Sequence, residues 1–212
     1  MAVIKAGILG GLSGSIGNVT GSSWKGIAVL RTKPLSVANP NTPAQQAVRT
    51  PWSLLTKLGS SITGVILQPV WNGIASKMSG YNLFLQANAQ LAFSSLGEFL
   101  PMGLSVSPGT LPSAAVSVDE LASSSTMSFN VATALPSAQA LPTDKLYAVV
   151  VDSDGVYLGG VSGTVTRAAG SFSVVANRTL INHEMVYVYA FFMSVDGKRI
   201  FAQSHVMGAI VL

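Results

Sequence analysis

Two periodicities divide the chain. Between residues 51 and 95, apolar side chains return every three or four positions. Leu54, Leu55, Leu58, Ile62, Val65 and Ile66 form one such series, and Tyr81, Phe84, Leu85, Asn88, Leu91 and Ala92 share one side of a second stretch at about 80–95. That spacing predicts helices. From about residue 103 the period falls to two. Met127, Phe129 and Val131 alternate with Ser128 and Asn130. Runs containing Tyr147, Val149 and Val151, then Val156 and Leu158, then Phe172 and Val174 follow, before MVYVYAFFM at 185–193 and a closing run from Ile200 to Leu212. Seven or eight short strands divided by Gly, Pro, Ser and Asp turns predict an antiparallel β-sandwich of immunoglobulin or fibronectin type. Asp152-Ser153-Asp154-Gly155 and Asp196-Gly197 read as hairpin turns, and Tyr187 stands where a tyrosine corner would form.

Ahead of the helices the pattern is irregular. Residues 7–21 are glycine-rich, and SWKGIAVLRTK at 23–33 reads as a short strand. Prolines at 34, 40, 43 and 51 then mark extended or turning backbone. Thr42 suits an N-cap, Pro43 the first helical position, and Gln45 a capping-box spacing. A short helix is expected over 43–49, interrupted by Pro51, with a second start at Thr50-Pro51 and an end or kink at Pro69. The fold class is therefore α+β, in three segments: a Gly/Pro-rich basic arm at 1–50, a helical region at 51–100 and a β-sandwich domain at 101–212.

Charge sharpens this division. Residues 1–97 hold Lys5, Lys25, Arg31, Lys33, Arg49, Lys57 and Lys77 and not one carboxylate, whereas all eight acidic residues lie beyond them. Trp24, Trp52 and Trp71 also fall in the basic part. A basic segment bearing tryptophans can meet nucleic acid through phosphates and stacking, or dock on the acidic face of a protein. Seven scattered cations are sparse for nucleic acid, and an uncharged helical face such as GYNLFLQANAQLAF packs against protein more often than it faces water. Trp24, Lys25 and Arg31 in the arm, Trp52 and Trp71 on the helices, and Arg49 opposite an acidic partner are the expected contact residues.

Chemistry is scarce. The 212 residues include no cysteine and two histidines, His183 and His205, which removes thiolate sites and most zinc or triad arrangements. No nucleophile elbow, phosphate loop, dinucleotide fingerprint or zinc-helix motif occurs. Asp152-x-Asp154-Gly155 begins like a calcium loop, but its twelfth position is Gly163 instead of glutamate. Asp119-Glu120 and the Asp152/Asp154 pair read as solvated turns, and the histidines as structural. No catalytic residue, metal site, cofactor or small-molecule substrate is expected. A hydrophobic fraction of 49% excludes intrinsic disorder. Glycines and serines break the N-terminal apolar stretch below what a secretory signal needs, and no window reaches the roughly 20 apolar residues of a membrane span. The small-residue spacings Gly7–Gly11, Gly10–Gly14 and Gly17–Gly21 also occur in membrane helices; a closely packed backbone is the preferred reading.

The opening GILGGLSGSIGNVTGSSWKG, followed by Arg31, Pro34, Asn39-Pro40-x-Thr42-Pro43-x-Gln45 and Arg49, resembles a domain-of-unknown-function family of Bacteroidota and phage-related proteins. LQPVWNGIASKMSGYNLFLQAN (67–88) and SVDGKRIFAQS (194–204) are similar to it as well, so the likeness spans nearly the whole chain. It implies an immunoglobulin-like domain behind an N-terminal leader, and no catalytic residues. The expectation that follows is a non-enzymatic structural subunit of a phage virion, in the tail, neck or capsid surface. Such a subunit would be assembled in the bacterial cytoplasm as a homo-oligomer with other virion proteins. A cell-surface or carbohydrate-binding immunoglobulin-like module is the alternative, and a genome-associated polyanion-binding protein the third.

Overall fold

The computed structural model describes residues 3–4, 12–24, 27–36, 39–94, 98–113, 115–118, 126–179 and 185–209. Two compact units emerge, Met1–Thr42 and Pro43–Leu212.

The first unit is an antiparallel meander, where the sequence suggested an extended glycine-rich arm. Val3–Ile4 (β1) pairs with Leu12–Ile16 (β2), β2 with Val19–Trp24 (β3), and β3 with Ile27–Thr32 (β4), in that order across the sheet. The β2–β3 connection is the two residues Gly17 and Asn18, because Ile16 faces Val19. Gly17 has φ +55°, and a positive φ at the first position of a two-residue loop matches the twist of a right-handed hairpin. Glycine is what lets this serine-rich segment turn.

In the second unit, Pro43 opens a helix that runs to Ser61 (α1), straight through Pro51. The expected interruption does not occur. Pro51 removes the donor for the carbonyl of Ala47, but Ala47 is exposed to solvent, and burial of Leu55, Leu58 and Gly59 holds the helix. Pro69 likewise fails to end the next helical segment. Thr63–Trp71 winds as a π-helix, and the chain continues helically through Asn72–Ile74 (α2). The transition is visible at the Ile62 carbonyl, which accepts from both Ile66 (2.9 Å) and Leu67 (3.4 Å); wider turns of this kind accommodate local strain. Ser79 caps Gly80–Asn88 (α3) by accepting from the Asn82 amide at 3.3 Å. The expected length to about 95 is not reached, and Leu91 is exposed, not on the packed face.

The remaining strands form a two-sheet sandwich. Val116–Val118 (β5), Thr126–Val131 (β6) and Ser171–Val175 (β9) make one sheet in the order β5-β6-β9. Lys145–Asp152 (β7), Tyr157–Thr166 (β8), Met185–Met193 (β10) and Ser204–Ala209 (β11) make the other, in the order β11-β10-β7-β8, with all neighbours antiparallel. Both predicted hairpin turns are present: the first joins β7 to β8, and the second carries Gly197 at φ +72°.

The central strands of the second sheet, β7 and β10, are buried on both faces. Leu146, Ala148 and Val150 of β7, with Val186, Val188, Ala190 and Phe192 of β10, point into the sandwich against Met127, Phe129, Phe172 and Val174. Their alternates Tyr147, Val149, Val151, Tyr189, Phe191 and Met193 pack against Leu55, Leu58, Ile62, Ile66, Trp71 and Phe84 of the helices. Three layers result: sheet, sheet, helices. The division expected at 50/51 falls inside α1, the boundary between the two units lying at Thr42/Pro43 instead, and across 100/101 the helices and the sandwich share a core. Tyr187 is half-buried against that helical core; on the same strand the Tyr189 hydroxyl donates to a distant backbone group, Pro101 O, at 2.6 Å.

Residues 104–107 cross between the layers as extended chain outside any named strand, and side chains take the place of a ladder. Asn88, fully buried, donates through Nδ2 to Ser105 O (2.9 Å) and Phe84 O (3.0 Å), and its Oδ1 accepts from Ser105 N (2.6 Å). Gln203 Oε1 accepts from Val106 N (2.5 Å) and Ser107 N (3.0 Å), while its Nε2 donates to Leu104 O (2.6 Å). Trp71 Nε1 donates to Val106 O at 2.8 Å. The obligatory backbone groups of a partly buried segment are thus satisfied.

Candidate interaction surfaces

The meander is where apolar residues meet water. All six residues of β4 are exposed, and among 13–23 and 27–36 only Gly21 is buried. Ile16 (54%), Ile27 (62%) and Leu30 (65%) keep more than half of their surface in solvent. The register places Ile16, Val19 and Leu30 on one face, with Gly14 and Gly21 beside Leu30. Ile27, Val29 and Arg31 share the other. Thr20 faces Arg31 across the strands.

The ladder also fixes which backbone groups of β4 are spoken for. The Lys33 amide donates to Asn18 O at 2.7 Å, so positions 18 and 33 form a hydrogen-bonded pair. Alternation along an antiparallel ladder then directs the N–H and C=O groups of Arg31, Val29 and Ile27 toward β3. Those of Ala28, Leu30 and Thr32 point to the outer edge of the sheet, which no described strand covers.

A second apolar feature lies on the helical layer. A groove of about 420 Å³ is lined by Ala47, Val48, Pro51, Trp52 and Leu55 of α1 and by Ala89, Gln90, Phe93 and Ser94 after α3. Trp52 is half exposed and Val48 71% exposed at its rim. A third hollow, about 660 Å³, borders β6, β8 and β9 and carries Ser128, Asn130, Thr164, Thr166, Ser171 and Ser173. Phe129 and Phe172 lie behind it with their surfaces buried, so its polar lining has no exposed aromatic ring for a sugar to stack on.

The sequence-predicted contact residues fall in different places. Trp24 ends β3 opposite Ile27, and Lys25 lies outside the described residues. Arg31 is exposed on β4 and Arg49 on α1, one turn before Trp52. Trp71 is not an interface residue: 2% exposed, it meets Phe84 edge-on at 5.6 Å and bonds the 104–107 crossover. A tryptophan on a mostly apolar helix satisfies its N–H most readily inside the same fold.

Asp152 and the Arg167–Asp144 pair serve the architecture. Asp152 Oδ1 accepts from Asp154 N (3.0 Å) and Val156 N (2.8 Å), and Oδ2 receives Arg178 at 3.2 Å; the carboxylate closes its own hairpin. Arg167, 1% exposed, approaches Asp144 at 3.5 Å with its guanidinium 3.9 Å from the Phe192 ring centre. Burial pushes the Arg167 guanidinium below its ordinary pKa, and the Asp144 charge opposes that shift. His205 is exposed on β11 opposite Tyr189, while His183 and Asp119-Glu120 lie outside the described residues. Among the described residues no three His, Cys, Asp or Glu side chains converge as metal ligands, and no helix is long and apolar enough to cross a membrane.

Sequence reasoning picked out neither the outer edge of β4 nor the Asn88–Gln203 clasp. The strand itself left a signal, the SWKGIAVLRTK run at 23–33 that contains β4.

The architecture is that of a mixed α+β protein with a β-sandwich core and a helical layer. The family model described as "Family of unknown function (DUF6266)" matches residues 11–208, and the chain belongs to that family. No curated protein matches the sequence. Among solved structures, a "Central Fibronectin-III array of RIM-binding protein" is similar at 8% identity and TM-score 0.31; the match covers 47% of this chain and 36% of that one, too low to support any argument here.

Proposed function

We propose that this protein is a non-enzymatic structural subunit that assembles through its N-terminal meander, and that the assembly is a phage particle put together in the bacterial cytoplasm. The observation that carries the assembly reading is β4, a strand exposed at every residue in a sheet where, among residues 13–23 and 27–32, only Gly21 is buried. A few strands without a covered face are marginal in water. Ile16, Val19 and Leu30 share one face and Ile27 and Val29 the other, so covering one face is worth about 2–3 kcal/mol, taking about 1 kcal/mol for each of these partly exposed aliphatics. A partner that buries them therefore holds the meander in place. The rimmed groove at Val48 and Trp52 offers a second contact, with Arg49 beside it. The phage setting rests on the sequence resemblance. The surface-module alternative is disfavoured by the burial of Phe129 and Phe172 at the sandwich hollow, which leaves it no exposed ring for a sugar to stack on.

The test is the solution mass of the full-length chain by light scattering across a concentration series. Reversible growth into defined oligomers is expected. A monodisperse monomer at every concentration overturns the self-assembly reading.

A further inference from the structure

We propose that β4 pairs edge to edge with β4 of a second copy, antiparallel, about a two-fold axis at Leu30. This rests on the assembly reading above and specifies its contact. Strand pairing across a free edge requires outward-pointing groups on both sides. On β4 those belong to Ala28, Leu30 and Thr32, as the 18–33 hydrogen bond fixes. A register that sets Leu30 against Leu30 also sets each Ala28 against a Thr32, so all three outward residues of both strands are used. Shifting by one residue would oppose outward groups to groups already engaged with β3. Centring on Val29 instead would use only Ala28 and Leu30 among the outward residues of β4.

The charges fit a second copy. In the Leu30-centred register, Arg31 lies across from Val29 and Lys33 from Ile27, so cations meet aliphatic stems instead of one another. The two Arg31 positions are roughly 8 Å apart from strand rise and spacing, about one Debye length at physiological ionic strength. A symmetric contact thus needs no acid, and residues 1–97 contain none. The edge also lacks the usual guards: from Ile27 to Leu30 there is no charge, proline or register shift. Leu30, the most exposed large apolar residue of the strand, sits at the axis, where an isologous contact counts it twice.

Cysteine placement in the full chain tests the register, because the protein has no thiol of its own. Facing residues of a hydrogen-bonded antiparallel pair have Cα atoms about 5.5 Å apart, within disulfide range. Under mild oxidation Leu30→Cys should cross-link to a covalent dimer. Ala28→Cys and Thr32→Cys should each stay largely uncross-linked alone, and a mixture of the two, one carrying a size tag, should form the mixed dimer. Leu30→Pro removes an amide that the meander does not use, which edge strands tolerate, and should weaken dimerisation at least about tenfold. Equal cross-linking of all three single variants, or none by Leu30→Cys, overturns the pairing. Wild-type oligomers that persist unchanged in Leu30→Pro overturn the edge contact but leave assembly standing. A monomeric wild type overturns both.

Discussion

Replacing Asn88 with alanine tests whether side chains do the work of a strand ladder at the 104–107 crossover. Asn88 is fully buried and makes three hydrogen bonds, two of them to Ser105. Its loss strands Ser105 N–H and C=O. An unsatisfied buried group costs about 1–3 kcal/mol, and Ser105 is only half-buried, so the sum falls near about 3 kcal/mol. With a urea m-value of about 2 kcal/mol/M, the unfolding midpoint should drop by about 1.5 M with m unchanged. Asn82→Ala, at an exposed position of the same helix, controls for helix propensity and should stay within about 0.5 kcal/mol. Asn88→Asp adds a pH arm. Its carboxyl would face the carbonyls of Phe84 and Ser105, which disfavour the charged form, so its folded pKa rises above the unfolded value. Its stability is then retained below the unfolded pKa and lost as pH climbs through the folded one, making the variant weaker at pH 8 than at pH 4 relative to wild type. A loss below about 1 kcal/mol for Asn88→Ala would show that water replaces the clasp and refute the reasoning.

Two other predictions concern charged groups. Asp144→Ala leaves the Arg167 cation buried between Phe192 and Phe201 without its counter-charge, and should cost about 3–5 kcal/mol by denaturant unfolding; replacing both partners by apolar residues should cost less. At Asp196, donation from the Ser194 hydroxyl and the Lys198 amide holds the carboxyl below the usual aspartate range. Its contribution is present above the unfolded pKa and lost as pH falls through the lowered one. The stability gap between wild type and Asp196→Asn should therefore close between pH 5 and pH 2, and the wild-type carboxyl should titrate by NMR below a free aspartate.

The periodicities made the sandwich legible: β6, β9 and β10 lie where alternation and β-branched runs place them. The helical layer over the second sheet was less so, although its trace was on the page. YAVVV in β7 and VYAFFM in β10 are continuous apolar runs, the pattern of strands covered on both faces, and reading them as half-exposed hides the third layer. Proline rules misplaced the helix breaks at Pro51 and Pro69 because burial of Leu55, Leu58, Ile66 and Trp71 outweighs the local cost. In the meander only β4 is legible, within the strand expected over 23–33; glycine and serine dilute the alternation of β2 and β3. Among the candidate contact residues, Trp52 and Arg31 proved exposed and Trp71 interior, a difference set by tertiary neighbours 35 residues away at Val106.

The twice-buried sheet has a consequence for inheritance. A sandwich whose outer faces are polar can be copied, strung into tandem arrays and moved between genes, since each copy is complete when it folds. Here Tyr147, Val149, Val151, Tyr189 and Phe191 would become a greasy wall the moment the helices were left behind. A cut inside residues 43–212 would leave an incomplete body on either side, because the helices and the sheet share one core.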